Sequence, residues 1–263
     1  MVYSKLFTKK EPEKRLLLSL RRKAGRSTSS GRITVRHQGG GVKRLYRIID
    51  FGQEKINVPG KISAIEYDPN RTSFIGLVEY NDGDKRYVIL AKNLNVGDSV
   101  ICADNTELKI GNRTKLKNIP IGTEVYNIEI EPGKGGKLVR GAGTAAKVIA
   151  QEPPFTHLEM PSGESRKFPQ ESFTSLGVVS HEKHTFEILG KAGLNRKKGI
   201  RPTVRGTAMN PVDHPHGGGE GKTTTGLKYS KTPWGKPARG VKTRKRFWTD
   251  RFILKRRQKK NKK

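Results

Sequence analysis

The chain has 263 residues, a length that suits one large domain or two small ones. Its 54 Lys and Arg against 24 Asp and Glu give a formal net charge of +30, and a compact body with that excess repels itself unless a polyanion, most simply nucleic acid, offsets the charge. No apolar run approaches the roughly 20 residues of a membrane span, and the single cysteine, Cys102, excludes an intramolecular disulfide and a thiolate zinc cluster.

The charge is distributed very unevenly along the chain. Residues 1–49 carry a net charge of +12, residues 50–194 of −1, and residues 195–263 of +19. The basic ends are poor in core-forming residues, so we expect them to be disordered alone and to become ordered against a partner. We therefore predict a basic N-terminal extension over 1–55 and an extended basic C-terminal arm over 195–263.

The N-terminal extension contains the best helix candidate. Thr8 and Glu11 have the spacing of a capping box, and Gly25 suits the position beyond a helix end. Pro12 weakens this prediction because it lies where helical amide donation would begin. A mitochondrial presequence is the alternative interpretation, and Glu11 and Glu13 disfavour it because transit peptides are poor in acids.

The nearly neutral middle of the chain is predicted to be all-β. Short β-branched and aromatic runs alternate with turn residues. Residues 81–84 (Asn-Asp-Gly-Asp) join two such runs as a hairpin, since glycine accepts positive φ, and residues 68–70 form a second turn. This first set of strands predicts one small barrel over 56–117. A second set, with a hairpin turn at 159–164, predicts another small barrel over 118–194.

The segment NPVDHPHGGGEGKTTTG, residues 210–226, resembles two unrelated kinds of site. Gly221-Lys222-Thr223 ends like a P-loop, but the position that needs the first glycine is His216, and no strand pattern precedes it. His214 and His216, with Asp213 or Glu220 as a third, are potential metal ligands, although three consecutive glycines provide no rigid scaffold for a metal. An Asp213–His214 catalytic pair lacks a Ser or Cys nucleophile beside it. We predict neither a metal nor a catalytic residue here.

A glycine-rich loop in basic surroundings favours RNA binding instead. Gly217, Gly218 and Gly219 carry no Cβ, so a polymer can approach the backbone closely and accept hydrogen bonds from exposed amides. Residues 31–47 repeat the pattern, with a histidine beside a glycine triplet among arginines. Turn formation is the alternative role of these glycines.

Motifs spread over about 31–257 resemble the universal large-ribosomal-subunit protein two, in its bacterial or organellar form. They occur in that family's order, and the most specific is MNPVDHPHGGGEG. The others include GRITVRHQGGGVKRLYRIIDF, EYDPNR, IEPGKGGKLVRGAGT, LGKAG, RPTVRG, TPWGKPARGVKTRKR and FILKRRQ. The chain departs from the family pattern in its shorter N-terminus, at Val42, where a histidine often follows the glycine triplet, and in LNRKKGI, which lacks an aromatic residue.

The resemblance implies an oligonucleotide-binding (OB) barrel followed by an SH3-like barrel, with extended basic arms. It implies direct binding to large-subunit rRNA during early assembly, and roles in subunit association, tRNA binding and the architecture around the peptidyl-transferase centre. Expected partners are therefore large-subunit rRNA, small-subunit rRNA at the subunit interface and neighbouring ribosomal proteins, with no membrane. The location implied is a cytoplasmic bacterial ribosome, or an organellar one.

The family resemblance also concerns His214, for which a part in peptide-bond formation has been proposed. We interpret this histidine as a support of RNA catalysis and predict that the chain is not an enzyme. We expect no cofactor, apart from structural Mg²⁺ that could accompany the rRNA. Two other classes stay open: an enzyme that acts through the His214 region, and a soluble nucleic-acid chaperone or DNA-binding protein.

The predicted RNA contacts combine cations that neutralise phosphates with glycines, histidines and a tryptophan that suits base stacking. Selectivity is expected from folded RNA shape and 2′-hydroxyl contacts. The predicted contacts are Arg32, Arg36, His37, Gly39, Gly40, Gly41, Lys43, Arg44, Arg47, Arg71, Lys134, Lys137, Arg140, Arg201, Arg205, Asn210, His214, His216, Gly217, Gly218, Gly219, Lys222, Trp234, Arg244, Lys245 and Arg246.

Overall fold

The chain folds into two compact units, each built from segments that are distant in sequence. The computed structural model describes residues 7–9, 11–20 and 24–257. The first unit contains the described residues of Met1–Leu20, Arg44–Ile188 and Thr249–Lys263, and the second contains those of Arg21–Lys43 and Leu189–Trp248. The domain boundaries predicted from the sequence stay predictions.

Most regular structure in the described residues is β-strand, which confirms the predicted all-β class. The strands are β1 (Leu17–Ser19), β2 (Leu45–Arg47), β3 (Gly60–Glu66), β4 (Ile75–Tyr80), β5 (Lys85–Ile89), β6 (Ser99–Val100), β7 (Arg113–Lys115), β8 (Glu124–Tyr126), β9 (Ala146–Glu152), β10 (Phe155–Glu159), β11 (Ser165–Pro169), β12 (Phe173–Leu176) and β13 (Ile253–Lys255). They form a pair β1-β2, a four-stranded sheet β5-β4-β3-β6 and a seven-stranded sheet β13-β11-β10-β9-β8-β12-β7. These pairings are antiparallel.

The helices are short connections between strands. The α-helix α1 spans Ala192–Lys197. The 3₁₀-helices span Lys14–Leu16, Leu116–Asn118, Glu182–Phe186, Gly206–Ala208 and Phe247–Phe252. In the part of the chain that the structure describes, no helix has the length and apolar character needed to cross a membrane.

The predicted N-terminal helix, which would begin at Thr8, is wrong where the structure describes it. Lys14–Leu16 form a single 3₁₀ turn, and β1 follows and pairs with β2. Pro12 disfavours the helix start, and β2 satisfies the backbone groups of β1, so strand pairing overrides local helix propensity. Positions 10 and 21–23 of the predicted helix lie outside the described residues.

The four-stranded sheet is buried on both faces. Along β4, Ile75 and Leu77 belong to one hydrophobic cluster, whereas Val78 and Tyr80 belong to another, because successive side chains of a strand point to opposite faces. The first cluster also contains Tyr126 of β8. The core therefore joins the four-stranded sheet to the seven-stranded sheet within the first unit.

The predicted turns are confirmed. Residues 81–84 connect β4 to β5 and the segment 159–164 connects β10 to β11, each with a glycine at positive φ. At the third turn, the backbone N–H of Asn70 donates to Asp68 Oδ1 at 2.8 Å, which is an Asx turn. This turn fixes the backbone just before Arg71.

A carboxylate is buried at the end of β3. Glu66 is 2% exposed, and the Tyr87 hydroxyl donates to its Oε2 at 2.8 Å. The other oxygen, Oε1, has no hydrogen-bond partner within the described ranges. Burial raises the pKa of Glu66, and the hydrogen bond from Tyr87 opposes that effect only in part.

We expect the variant Glu66→Gln to gain stability relative to the unchanged protein as the pH rises. Because the folded-state pKa is raised, the folded protein keeps the proton to higher pH than the unfolded chain, and ionisation above the ordinary value of 4.5 destabilises the fold. Glutamine cannot ionise and keeps an oxygen acceptor for Tyr87. Urea unfolding midpoints from about pH 4 to about pH 8 measure the difference. The exposed control Glu159→Gln should show the same pH dependence of the midpoint as the unchanged protein. If the midpoints of Glu66→Gln ran parallel to those of the unchanged protein over this pH range, the expectation would be contradicted.

Candidate nucleic-acid interface

Two arginines of the first unit contact the same aromatic ring. Cζ of Arg140 lies 4.3 Å from the centroid of the Phe51 ring, and Cζ of Arg71 lies 5.7 Å from the same centroid. Cζ of Arg71 also lies 5.6 Å from the ring centroid of Tyr46, and its Nε donates to the buried carboxylate of Asp68. Aromatic faces attract guanidinium groups, so these contacts orient both cations.

The charges of this arginine pair repel each other. The pKa of Arg140 is lowered, first by loss of hydration and then by the positive charge of Arg71. Arg140 Nη1 donates to the carbonyl of Gly136 at 3.3 Å, and among the described residues Arg140 makes no ion pair. An anion bound beside both guanidinium groups would relieve the repulsion and accept charge-assisted hydrogen bonds.

Close backbone packing holds the loop of residues 133–140, which carries Arg140. The N–H of Gly136 donates to the Phe51 carbonyl at 3.0 Å. A Cβ on Gly136 would overlap the side chain and carbonyl of Asn127, so the position requires glycine. The same loop therefore places Arg140 beside the ring of Phe51 and also fixes the main chain at Phe51.

The glycine triplet 39–41 packs within the second unit. The N–H of Gly39 donates to the Gly199 carbonyl at 2.9 Å, and the N–H of Val42 donates to the Lys197 carbonyl at 3.0 Å. A Cβ on the buried Gly39 would lie 2.9 Å from Nε of Arg201. Protein packing is a sufficient reason for this glycine, and its RNA contact stays a prediction.

Two histidines of the second unit accept backbone hydrogen bonds. His214 is 7% exposed, and its Nδ1 accepts from the N–H of His216 at 3.0 Å. Nε2 of His216 accepts from the N–H of Lys231 at 2.9 Å. An accepting nitrogen carries no proton, so the geometry assigns each ring proton to the opposite nitrogen. The pKa of His214 is lowered, first by burial and then by His216 and Arg36.

These contacts bear on the other interpretations of the segment. Backbone N–H groups occupy one nitrogen of His214 and one of His216, and no group of three or more potential metal ligands lies together within the described ranges. A P-loop would continue into a helix after Lys222, whereas residues 223–229 are not helical. The geometry favours a role for both histidines in shaping the loop.

Two family models match most of the chain. Residues 13–102 match the model of Ribosomal Proteins L2, RNA binding N-terminal domain. Residues 109–235 match the model of Ribosomal Proteins L2, C-terminal domain.
The chain belongs to the ribosomal protein L2 family.
The family predicted from the sequence motifs is confirmed, and with it the OB barrel followed by an SH3-like barrel. As a ribosomal L2 protein, the chain is a structural, RNA-binding component of the large ribosomal subunit.

The structure divides the predicted RNA contacts of this L2 protein between the two units. In the first unit it brings Arg71 and Arg140 together, and in the second it places Arg36 over the ring of Trp234. His214 and Gly39 are buried. The half-buried ones are Gly41, Arg44, Arg47, Arg71, Arg201, His216, Gly217 and Gly218. The exposed ones are Arg32, Arg36, His37, Gly40, Lys43, Lys134, Lys137, Arg140, Arg205, Asn210, Gly219, Lys222, Trp234, Arg244, Lys245 and Arg246. Each contact stays a prediction.

Two aromatic residues that contact Arg71 or Arg140 in this L2 protein were not among the predicted RNA contacts. Phe51 and Tyr46 supply the rings on which the guanidinium groups lie. The signal in the sequence is RLYRIIDF, residues 44–51, where both rings lie close to arginines. The spacing alone does not identify the partners, because Arg71 and Arg140 come much later in the chain.

Proposed function

We propose that the chain is a primary rRNA-binding protein that binds folded large-subunit rRNA directly and supports early subunit assembly. The observation that carries this proposal is the pair of Arg71 and Arg140 over the ring of Phe51. Each guanidinium presents a planar fork of donors that matches phosphate. The pKa of Arg140 is lowered by loss of hydration and then by the charge of Arg71, and a phosphate of the RNA backbone bound by both arginines would offset the repulsion between them.

The second unit carries cationic segments of its own that suit RNA. Lys43 and Lys245 are exposed, and the sequence has no Asp or Glu between Glu220 and Asp250. Cations that neutralise phosphates release condensed counterions, which supplies most of the affinity. Selectivity comes from the fold of the rRNA and from its 2′-hydroxyl groups.

The proposal extends to the position of the protein in the ribosome. The chain supports tRNA binding and subunit association, with contacts to small-subunit rRNA and neighbouring ribosomal proteins, and its residues 210–221 reach toward the peptidyl-transferase centre and support the architecture there. His214 is buried and its Nδ1 accepts a hydrogen bond from the backbone of the same loop, which supports a role in loop structure rather than in catalysis. The chain works without a cofactor of its own beside Mg²⁺ of the rRNA, in a cytoplasmic bacterial ribosome or an organellar one.

The purified chain is expected to bind large-subunit rRNA fragments more tightly than duplex DNA of equal length, and to lose affinity steeply as salt increases. Each phosphate contact contributes about −0.7 to −0.9 to the slope of log affinity against log salt, so about a dozen contacts give a slope of roughly −8 to −11. Filter binding over about 50 to about 300 mM KCl measures this slope. A structured RNA of the same length but unrelated sequence is the control. Preference for duplex DNA, or a flat salt dependence, would contradict the proposal.

A further inference from the structure

Trp234 lies at the tip of a short hairpin in the second unit. The N–H of Gly235 donates to the Thr232 carbonyl at 2.9 Å, and the N–H of Thr232 donates to the Lys236 carbonyl at 2.7 Å. Gly235 has a φ of 78°, a conformation that side chains with a Cβ rarely adopt, so glycine closes this turn. The indole at the tip is 78% exposed.

One face of this indole lies beneath a cation, and the surroundings are basic. Cζ of Arg36 lies 5.9 Å from the centroid of the Trp234 ring, within cation–π range. Lysines precede and follow the tip of the hairpin, and no acid occurs between Glu220 and Asp250. An exposed aromatic face backed by a cation, in an acid-free segment, has the properties of a platform for a nucleic-acid base.

The hairpin is tied to the two histidines. The N–H of Lys231 donates to Nε2 of His216 at 2.9 Å, and the N–H of His216 donates to Nδ1 of His214 at 3.0 Å. The ring of His214 is buried, and a Cβ on Gly206 would overlap it. The chain of contacts therefore runs from a buried ring to the base of the exposed hairpin.

We propose that the open face of Trp234 stacks on an unpaired base of RNA, and that His216 positions the hairpin for this contact. The inference rests on the proposed RNA-binding function and names the ligand at one place within it. An unpaired base fits better than a protein side chain, because the phosphates on either side of a base meet the lysines that flank the tip.

A single-tryptophan protein tests the stacking. The chain has two tryptophans, so Trp248→Phe leaves Trp234 as the only indole that emits. Oligoadenylate is expected to quench this emission, whereas a ribose-phosphate strand of equal length without bases is expected to bind and leave it unchanged. Dye anisotropy of the same strands reports binding. Equal quenching by the base-free strand, or bound oligoadenylate without quenching, would overturn the stacking.

Affinity gives a second measure of the same contact. In the Trp248→Phe protein, Trp234→Ala is expected to lower the affinity for oligoadenylate roughly 10-fold, and to leave the affinity for the base-free strand unchanged. Equal losses for both strands would overturn the inference. If the parent protein binds neither oligoadenylate nor rRNA, the proposed RNA-binding function itself fails. If the protein binds rRNA but the emission of Trp234 does not change, only the stacking inference is overturned and the proposed function stands.

The positioning role of His216 has its own test. His216→Leu removes the acceptor of the Lys231 N–H and is expected to weaken the quenching of Trp234 by oligoadenylate. His216→Gln offers an oxygen in place of Nε2 and is expected to restore most of the quenching. Equal quenching in the unchanged protein and His216→Leu, or no recovery with His216→Gln while circular dichroism shows both variants folded, would remove this role.

Discussion

Replacing Arg140 with Met is expected to lower the affinity for large-subunit rRNA roughly 10-fold, and replacing Arg71 as well is expected to lower it roughly 100-fold. A hydrogen bond to a charged group contributes about 1.5–3 kcal/mol, and about 1.4 kcal/mol corresponds to a tenfold change in affinity. Both guanidinium groups contact the ring of Phe51, and the proposed function places one RNA phosphate between them. Filter binding at constant salt measures the loss.

Matched controls separate this site from general loss of charge. Lys61→Met with Lys147→Met removes two exposed cations and is expected to lower affinity only slightly. Arg140→Lys keeps the charge but loses the planar fork, and should fall between Arg140→Met and the unchanged protein. Removal of Arg71 leaves the buried Asp68 without its partner, so circular dichroism must show that the double variant is folded. Unchanged affinity in Arg140→Met alone would contradict the proposed site.

The β architecture and its turns could be predicted because both depend on local signals. Short β-branched and aromatic runs, such as the one that forms β4, and glycines in the turns 81–84 and 159–164 are visible in the sequence. The N-terminal helix could not be judged locally. Its capping pattern is real, but Leu17–Ser19 pair with a strand that follows a long intervening segment, and no local pattern shows that pairing.

The sequence predicts which residues of the candidate site bind RNA, but it does not predict which of them lie together in the fold. Basic character marks Arg71 and Arg140 as RNA contacts, but only the fold brings both to the ring of Phe51. The spacing of His214 and His216 suits a metal, and the sequence does not show that backbone N–H groups occupy one nitrogen of each ring. Contacts between backbone and side chain depend on the three-dimensional path, which residue spacing does not encode.

The loop that carries Arg140 is anchored on a buried ion pair. The side chains of Arg113 and Glu129 are 0% and 2% exposed, and Arg113 Nη2 donates to Glu129 Oε1 at 2.8 Å. The other oxygen, Oε2, accepts the N–H of Gly133 at 3.1 Å and the N–H of Phe173 at 3.2 Å. Glu129 therefore connects β7, β12 and the start of this loop, and its charge depends on Arg113 for compensation.

Arg113→Met is expected to lower the free energy of unfolding of the first unit by roughly 3–5 kcal/mol, because it leaves the Glu129 carboxylate buried without a counter-charge. Adding Glu129→Gln removes the stranded charge and keeps an oxygen acceptor for the backbone N–H groups, so the double variant should recover much of the loss. Urea denaturation of both single variants and the double variant gives the coupling energy. The exposed pair Lys117–Glu171 is the control, and Lys117→Met should change stability by less than about 1 kcal/mol. If the double variant were less stable than Arg113→Met, the uncompensated charge of Glu129 would not be the cause of the lost stability.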